Sequence, residues 1–313
     1  MAGMRTAPTP EADTAPLIRT VLRWYQHRGR DLPWRRTRQP YRILLSEIML
    51  QQTQVQRVSE AYPQFLRRFP TLGSLARAPL RQVLITWRGM GYNNRAVRLH
   101  ALARRVVAAG GRWPRTLREL QALPGVGRYT AHALLAFAFE EPVPVVDVNV
   151  RRVLSRLLWT MRSPSALKPE SVIWNRAREI IPPARAFDWN QAVMDLGALL
   201  CTASRPRCTA CPAASLCRSR AFMGRAVRRR PKREPSFQGI PRRIYRGRIV
   251  EALRDLPPGA SLPAAELGRR LVPRFSARNA AWLEKLLRDL ACDGILLLET
   301  HDRAPMGRVR LVE

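Results

Sequence analysis

Leu123-Pro124-Gly125-Val126-Gly127-Arg128-Tyr129-Thr130-Ala131 is the stretch on which the fold turns. Apolar residues at three- and four-residue spacing precede it in Leu117–Leu123 and follow it in Thr130–Phe139, so it joins two helices. Glycines at 125 and 127 let the backbone turn sharply and leave unshielded amides at the start of the second helix, where a phosphate can sit against the helix dipole. Gly125, Gly127 and Arg128 are therefore candidate phosphate contacts, although an ordinary tight turn uses the same residues.

The helical period continues on both sides. It runs through Leu17–Tyr25, Ile43–Val58, Ala61–Phe69, Leu72–Ala76, Leu80–Ile85 and Arg95–Ala109, and through Val150–Leu158, Val172–Ile180 and Trp189–Leu200. Short connections such as Phe69-Pro70, Ala78-Pro79, Gly110-Gly111 and Pro182-Pro183 separate these segments, and no alternating strand pattern appears before about residue 217. An all-α fold is expected there, with residues 1–15, rich in Pro, Thr and Ala, as a loose tail. Beyond it, Ile244–Leu253, Ala264–Leu271 and Ala277–Asp293 read as three helices. Ile295–Glu299 and Val309–Val312 read as two strands, joined by a loop containing His301, Pro305 and Gly307. That order predicts a small α+β, winged-helix-like module over 244–313, with Cys292 as a buried apolar residue.

The 313 residues include 55 Lys or Arg against 23 Asp or Glu, a formal net charge of +32 that calls for a polyanionic partner. A hydrophobic content of 46% is enough for packed cores and excludes wholesale disorder. No apolar run approaches the ~18 residues of a membrane span, and an N-terminus with Glu11 and Asp13 lacks the core of a signal peptide, so a cytoplasmic protein is expected. Residues 218–248 carry twelve Arg or Lys against Glu234, a net of +11. Residues 218–243 read as a basic linker, either a solvated hinge or a phosphate-tracking arm. Only Lys168, Lys232 and Lys285 are lysines, which leaves a lysine nucleophile no candidate before residue 168.

Three further constellations carry chemistry. Cys201, Cys208, Cys211 and Cys217 fall within 17 residues as one close pair flanked by wider gaps. That spacing favours a cubane-type iron–sulfur cluster over zinc, whose structural ligands usually come as two close pairs. Arg205 and Arg207 lie in the first gap, so the cluster can brace a loop that offers cations to phosphate. Asp147 follows the apolar run Val143–Val146 and precedes a helix. It is by default an N-cap, and a capping carboxylate stays ionised. Glu47 sits among Ile43, Leu44, Met49 and Leu50, either on a polar face or in a pocket that raises its pKa. Gln51, Gln52 and Gln54 follow it, uncharged amides suited to base edges.

Taken together these residues resemble the helix-hairpin-helix DNA glycosylases of the endonuclease III superfamily, and within it the adenine DNA glycosylase branch. The resemblance covers roughly residues 17–217. It rests on Leu32-Pro33-Trp34, Ser46-Glu47 through Gln54-Val55, Gly89-Met90-Gly91-Tyr92, the hairpin at 123–131, Asp147-x-Asn149-Val150-x-Arg152-Val153, Asn190-Gln191 through Gly197-Ala198, and the four cysteines. It implies a glycosylase domain over 16–217, with a six-helix barrel subdomain (30–140), a cluster subdomain (16–29 and 141–217) that carries a 4Fe–4S cluster, and DNA bound in the cleft between them.

It also implies roles. Glu47 would be the general acid that protonates adenine, and Asp147 the carboxylate that stabilises the positive sugar. Tyr129 and Asn149 would position Asp147 and the sugar. Tyr92 and Gln52 are wedge candidates for the space left by a flipped base, with Gln51 and Gln191 as contacts in the recognition surface or base pocket. Strand-cleaving members carry a Schiff-base lysine where Tyr129 stands, so a monofunctional enzyme is expected. The implied function is removal of adenine mispaired with guanine or 8-oxoguanine from double-stranded DNA, by a nucleoid-associated monomer that needs no membrane. Thymine or uracil mismatch glycosylases share much of this scaffold, and a catalytically silent DNA-binding protein is the alternative from another class. Two departures stand out. Residues 244–313 are too short for the C-terminal domain that adenine glycosylases of the common type carry, and Asn93 stands where a second aromatic often follows Tyr92.

Overall fold

The computed structural model describes residues 13–223, 234–299 and 307–313. Most of the expected N-terminal tail, the middle of the basic linker (224–233), and His301 and Pro305 lie outside the described residues.

Eleven helices precede the linker among the described residues: α1 (Ala15–Arg28), α2 (Pro40–Leu50), α3 (Val55–Arg68), α4 (Leu72–Arg77), α5 (Leu80–Thr86), α6 (Asn94–Ala108), α7 (Leu117–Gln121), α8 (Arg128–Phe137), α9 (Val148–Leu158), α10 (Glu170–Ile180) and α11 (Ala186–Leu199). Local chemistry sets several starts. Proline occupies the first turn of α1 and α2, where its missing amide costs nothing, and reciprocal capping boxes open α4 (Thr71 with Ser74) and α7 (Thr116 with Glu119).

The expected helix over Ile43–Val58 is two helices. Leu50 and Val58 lie eight residues apart, in phase for one helix, but Gln52 adopts φ 58° and ends α2 before α3 begins at Val55. The four polar residues Gln51–Gln54 hold no apolar side chain that would tie a continuous helix to the core.

The chain divides into two units, Met1–Asp31 with Leu135–Arg230, and Leu32–Leu134 with Pro231–Glu313. In the first, α1, α9, α10 and α11 enclose an apolar core that includes Val21, Val153, Trp174, Trp189 and Leu196. Arg30 closes this unit onto α11: its backbone amide and Nε donate to the Asp195 carboxylate at 2.8 and 2.7 Å, and Asp195 is fully buried.

In the second unit the barrel helices bury Leu44, Phe65, Leu84, Trp87 and Leu102, with Phe65 set edge-on to Trp87 at 5.7 Å. The C-terminal module belongs to the same unit. It comprises β1 (Ser236–Phe237), β2 (Ile240–Pro241), α12 (Arg242–Arg254), β3 (Leu262–Pro263), α13 (Ala264–Leu271), α14 (Ala280–Cys292), β4 (Leu296–Glu299) and β5 (Arg308–Leu311). Its antiparallel sheet runs β3-β5-β4, with Leu296 opposite Leu311 and Leu262 opposite Val309.

The stretch read as linker is structured at both described ends. A short 3₁₀ turn occupies Arg220–Phe222, and β1 pairs with β2 so that Phe237 stacks on Trp282 at 4.0 Å. β1, β2 and β3 have two residues each, too few for alternation to show in the sequence. Cys292 is exposed rather than buried, because the apolar stripe of α14 is Leu283, Leu286, Leu287 and Leu290, and position 292 falls off it.

Asp195→Ala should cost about 3–5 kcal/mol by leaving Arg30 without its buried counterion. The measure is the urea midpoint, and a midpoint equal to wild type shows that the pair contributes nothing.

Candidate functional site

In the first unit, Asp147 caps α9. The lead-in Val143–Val146 is held by Asn190, whose Oδ1 accepts from Val145 N at 2.9 Å and whose Nδ2 donates to Val143 O at 3.0 Å. This delivers the Asp147 carboxylate to the helix start, where it accepts from Val150 N at 2.6 Å and from Asn149 Nδ2 at 2.9 Å. Both side chains are half-buried. Gly197 of α11 lets α9 come close, since a Cβ there would lie 3.0 Å from Asn149 Cβ and 3.1 Å from Val153 Cγ2.

Farther along α9 two arginines grip the cysteine loop. Arg152 donates to Cys201 O and Gly197 O, each at 2.8 Å. Arg156, fully buried, donates to Thr202 O at 2.8 Å, to Pro164 O at 2.7 Å and to Cys201 Sγ at 3.4 Å. The backbone carbonyls of Arg156 and Leu157 accept in turn from Ser219 N and Arg218 N. Asp147 and the cysteine loop are thus fixed to one rod.

Cys201, Cys208, Cys211 and Cys217 line one cavity with Arg156, Leu157 and Leu196. Burial, with the neighbouring cysteines adding to it, pushes the Cys211 thiol up to about 11 and raises Cys208 and Cys217 in the same direction. Thiolates so placed need positive charge among them. Four sulfurs lining one cavity supply a four-thiol donor set; among the described residues no three His, Cys, Asp or Glu side chains are grouped closely enough to hold a metal ion. Arg205 and Arg207, in the first gap, are exposed.

In the second unit, Glu47 is 6% exposed on α2, between Ile43, Leu44, Ile48 and Met49 of the core. The environment that periodicity left open is therefore a buried one. Immediately after it, Arg95 organises two loops at once. Its Nη1 donates to Ile48 O and Met49 O at 2.8 Å and to Gln51 O at 2.6 Å; its Nη2 donates to Thr53 Oγ1 at 3.1 Å, Met90 O at 2.9 Å and Gly91 O at 3.1 Å. Burial pulls the guanidinium down to about 10, so it remains charged at neutral pH. The two loops it ties together carry Gln52 and Tyr92, both at positive φ (58° and 44°) and both exposed, Tyr92 at 45%. Gln51 is half-buried beside them.

The hairpin follows α7. Val126 N donates to Leu123 O, and Gly125 turns at φ 77° where a Cβ would also meet Arg98 Cβ at 3.0 Å, so only glycine fits. Gly127 has open space around it, and Gly125, Gly127 and Arg128 are exposed at the start of α8. Tyr129, next in line, is half-buried.

The expected site residues therefore gather in two groups, each within its own unit. Asp147, Asn149 and the four cysteines are joined through α9, and Glu47, Gln51, Gln52 and Tyr92 through Arg95. Gln191 is buried on α11 and Arg128 stands on the open hairpin. The residues missed were Arg95, Arg152, Arg156 and Asn190. Each acts by satisfying backbone carbonyls or amides; Arg152 and Asn190 stand in the stretches that carry the resemblance, and all four are an arginine or asparagine where the helical pattern expects an inward position.

A family model described as HhH-GPD superfamily base excision DNA repair protein matches residues 45–179. The adenine DNA glycosylase of Rattus norvegicus is 44% identical over 223 residues, 68% of this chain and 43% of the rat protein, so the match spans about two fifths of that relative's length. The adenine DNA glycosylase of Mycolicibacterium smegmatis is 41% identical over 299 residues, 93% of this chain and 94% of that protein. A solved structure described as a thermostable thymine-DNA glycosylase superposes with a TM-score of 0.61 at 31% identity, covering 66% of this chain and 95% of that one. No described helix is long and apolar enough to cross a membrane. With a hairpin, a capping aspartate and a four-cysteine loop on one helical scaffold, and a relative alike from end to end, the chain belongs to the adenine DNA glycosylase family of the HhH-GPD superfamily.

Proposed function

We propose that the chain removes adenine mispaired with guanine or 8-oxoguanine from duplex DNA, as a monofunctional base-excision-repair glycosylase. The observation that carries the reading is the contrast between two carboxyl groups. Glu47 is buried on an apolar helix at 6% exposure, while Asp147 is half-buried at a helix start and accepts hydrogen bonds from Val150 N and Asn149 Nδ2.

In this reaction the target adenine is flipped out of the stack, and Tyr92 and Gln52 fill the gap. Glu47 gives its proton to a ring nitrogen of adenine as the C1′–N9 bond breaks, and the bonding electron pair leaves with the base. The Asp147 carboxylate faces the positive charge that develops on the sugar, and water then adds at C1′. Asn149 holds Asp147 in place and Tyr129 helps position the sugar. Gln51 and Gln191 serve the recognition surface, and the exposed amides of Gly125 and Gly127 with Arg128, Arg205 and Arg207 hold phosphates. Tyr129 in place of a lysine, with no lysine before residue 168, leaves strand cleavage without its nucleophile.

The cysteine loop carries a 4Fe–4S cluster in this reading. The cluster supplies positive charge among the buried thiolates and rigidity at the far end of α9. The C-terminal module is winged-helix-like, with the strand order β3-β5-β4 and helices α12, α13 and α14 in support. In this reading a cluster subdomain, a barrel subdomain, a basic connection and this module make up the chain. The enzyme works as a monomer on nucleoid DNA.

Removal of thymine or uracil from mismatches is the second reading, favoured by the 31% identical thymine-DNA glycosylase structure. Single-turnover base release from A:8-oxoguanine, A:G, T:G and U:G duplexes separates the two. Adenine should be released, and loss of thymine or uracil with adenine left intact would falsify the first reading.

Asp147→Asn should lower the rate of base release by at least about 100-fold while binding to the mismatch changes little. An unchanged rate removes Asp147 from the chemistry. Purified protein should be yellow-brown with about four iron atoms per chain, and Cys208→Ser should lower iron content and thermal midpoint together. Stoichiometric zinc without iron contradicts the cluster.

A further inference from the structure

The C-terminal module is fastened to the barrel at one place in particular. Arg88 Nε pairs with Glu251 at 2.6 Å and its Nη2 pairs with Asp255 at 2.6 Å. Arg81 donates to the Leu256 carbonyl. Arg254 Nη2 donates to Asn93 Oδ1 at 2.8 Å with both residues buried, at 7% and 9% exposed. The end of α12 therefore grips the segment from Arg88 to Asn93, which carries Tyr92. Asn93 is the residue that departs from the aromatic common at this position, and its amide oxygen is what Arg254 binds.

This joint holds α12 across a cleft of about 1140 Å³ from the loops of Gln52 and Tyr92, with Gly247 and Arg248 on the α12 wall. The charges in the cleft sort themselves. Glu234 pairs with Arg243, Asp289 with Arg242 and Asp293 with Arg246. Arg57 and Arg248 are left as cations with no carboxylate partner among the described residues; Arg57 donates only to Gly89 O, and Arg248 rests over the Tyr245 ring. Gly247 is equally telling. A glycine inside a helix costs about 1 kcal/mol against alanine, yet a Cβ at 247 would meet nothing within 4 Å, so packing does not require it. A bare backbone beside an unpaired cation suits close approach by a phosphodiester chain.

We propose that this groove receives the DNA strand opposite the flipped base, with Arg248 on a phosphate and Gly247 as the point of closest approach. The module is then the second jaw of the grip. The inference rests on the reading of Tyr92 and Gln52 as the wedge, since the orphaned partner base lies next to whatever fills the gap.

The test is equilibrium binding of the full-length chain to a duplex carrying a tetrahydrofuran abasic analogue opposite 8-oxoguanine, across a salt series. Arg248→Glu should weaken binding about tenfold or more and reduce the salt slope by about one. Gly247→Leu, which favours the helix, should raise thermal stability, weaken binding about as much and leave the slope unchanged. Arg278→Glu, an exposed charge reversal on the module outside the groove, should stay within about twofold of wild type. Wild-type affinity in both groove variants overturns the proposal, as does an equal loss in Arg278→Glu, which would place DNA on another face. Because this assay needs no turnover, failure of the groove and failure of the adenine reading appear in different experiments.

Discussion

A guanidinium with no access to water decides how the far end of α9 is held. Among the described residues Arg156 pairs with no carboxylate; carbonyls of Pro164, Thr202 and Ala203 surround it, and Cys201 Sγ completes the set. A cation in such a place is stabilised by oriented dipoles, and its planar fork reaches several at once, which an ammonium cannot do. The loop that wraps Arg156 is the cysteine loop. α9 has 11 residues and is about 16 Å long, so a single helix joins that loop to Asp147 at the other end.

Arg95 repeats the device in the second unit. There the fork collects the carbonyls that end α2 and those of the Met90–Gly91 turn, so that two loops with left-handed residues share one anchor. The net charge of +32 is therefore not all available to a polyanion. Arg95, Arg152, Arg156 and Arg254 are buried and hold backbone or amide oxygens. The scarcity of lysine fits this division of labour, since the interior positions need a fork.

Much of the fold was legible from the chain alone. Apolar periodicity placed the helices to within a few residues, and Asp147 caps α9 as its position before Val148 demanded. Four cysteines within 17 residues read as one ligand set, and the structure brings all four to one cavity. What the sequence concealed has physical reasons. A positive φ at Gln52 interrupts a pattern that remains in phase across the break. Strands of two residues have no period. Arg95 reaches the end of α2, and Asn190 the Val143–Val145 backbone, from more than 40 residues away, and no local rule marks such partners. The burial of Glu47 was undecidable for a related reason, because α2 is nearly apolar all round and offers no polar face from which to measure it.

The bond between Arg254 and Asn93 makes two equilibria into one. The module can leave the barrel only by giving up a contact that also restrains the Tyr92 turn, and the turn can rearrange only by loosening the module. Whatever free energy a ligand contributes by favouring the docked module is therefore shared with the turn, and the reverse holds by the same factor. Exchange of either residue alone leaves a buried polar atom of the other without that partner, so the two surfaces share one constraint.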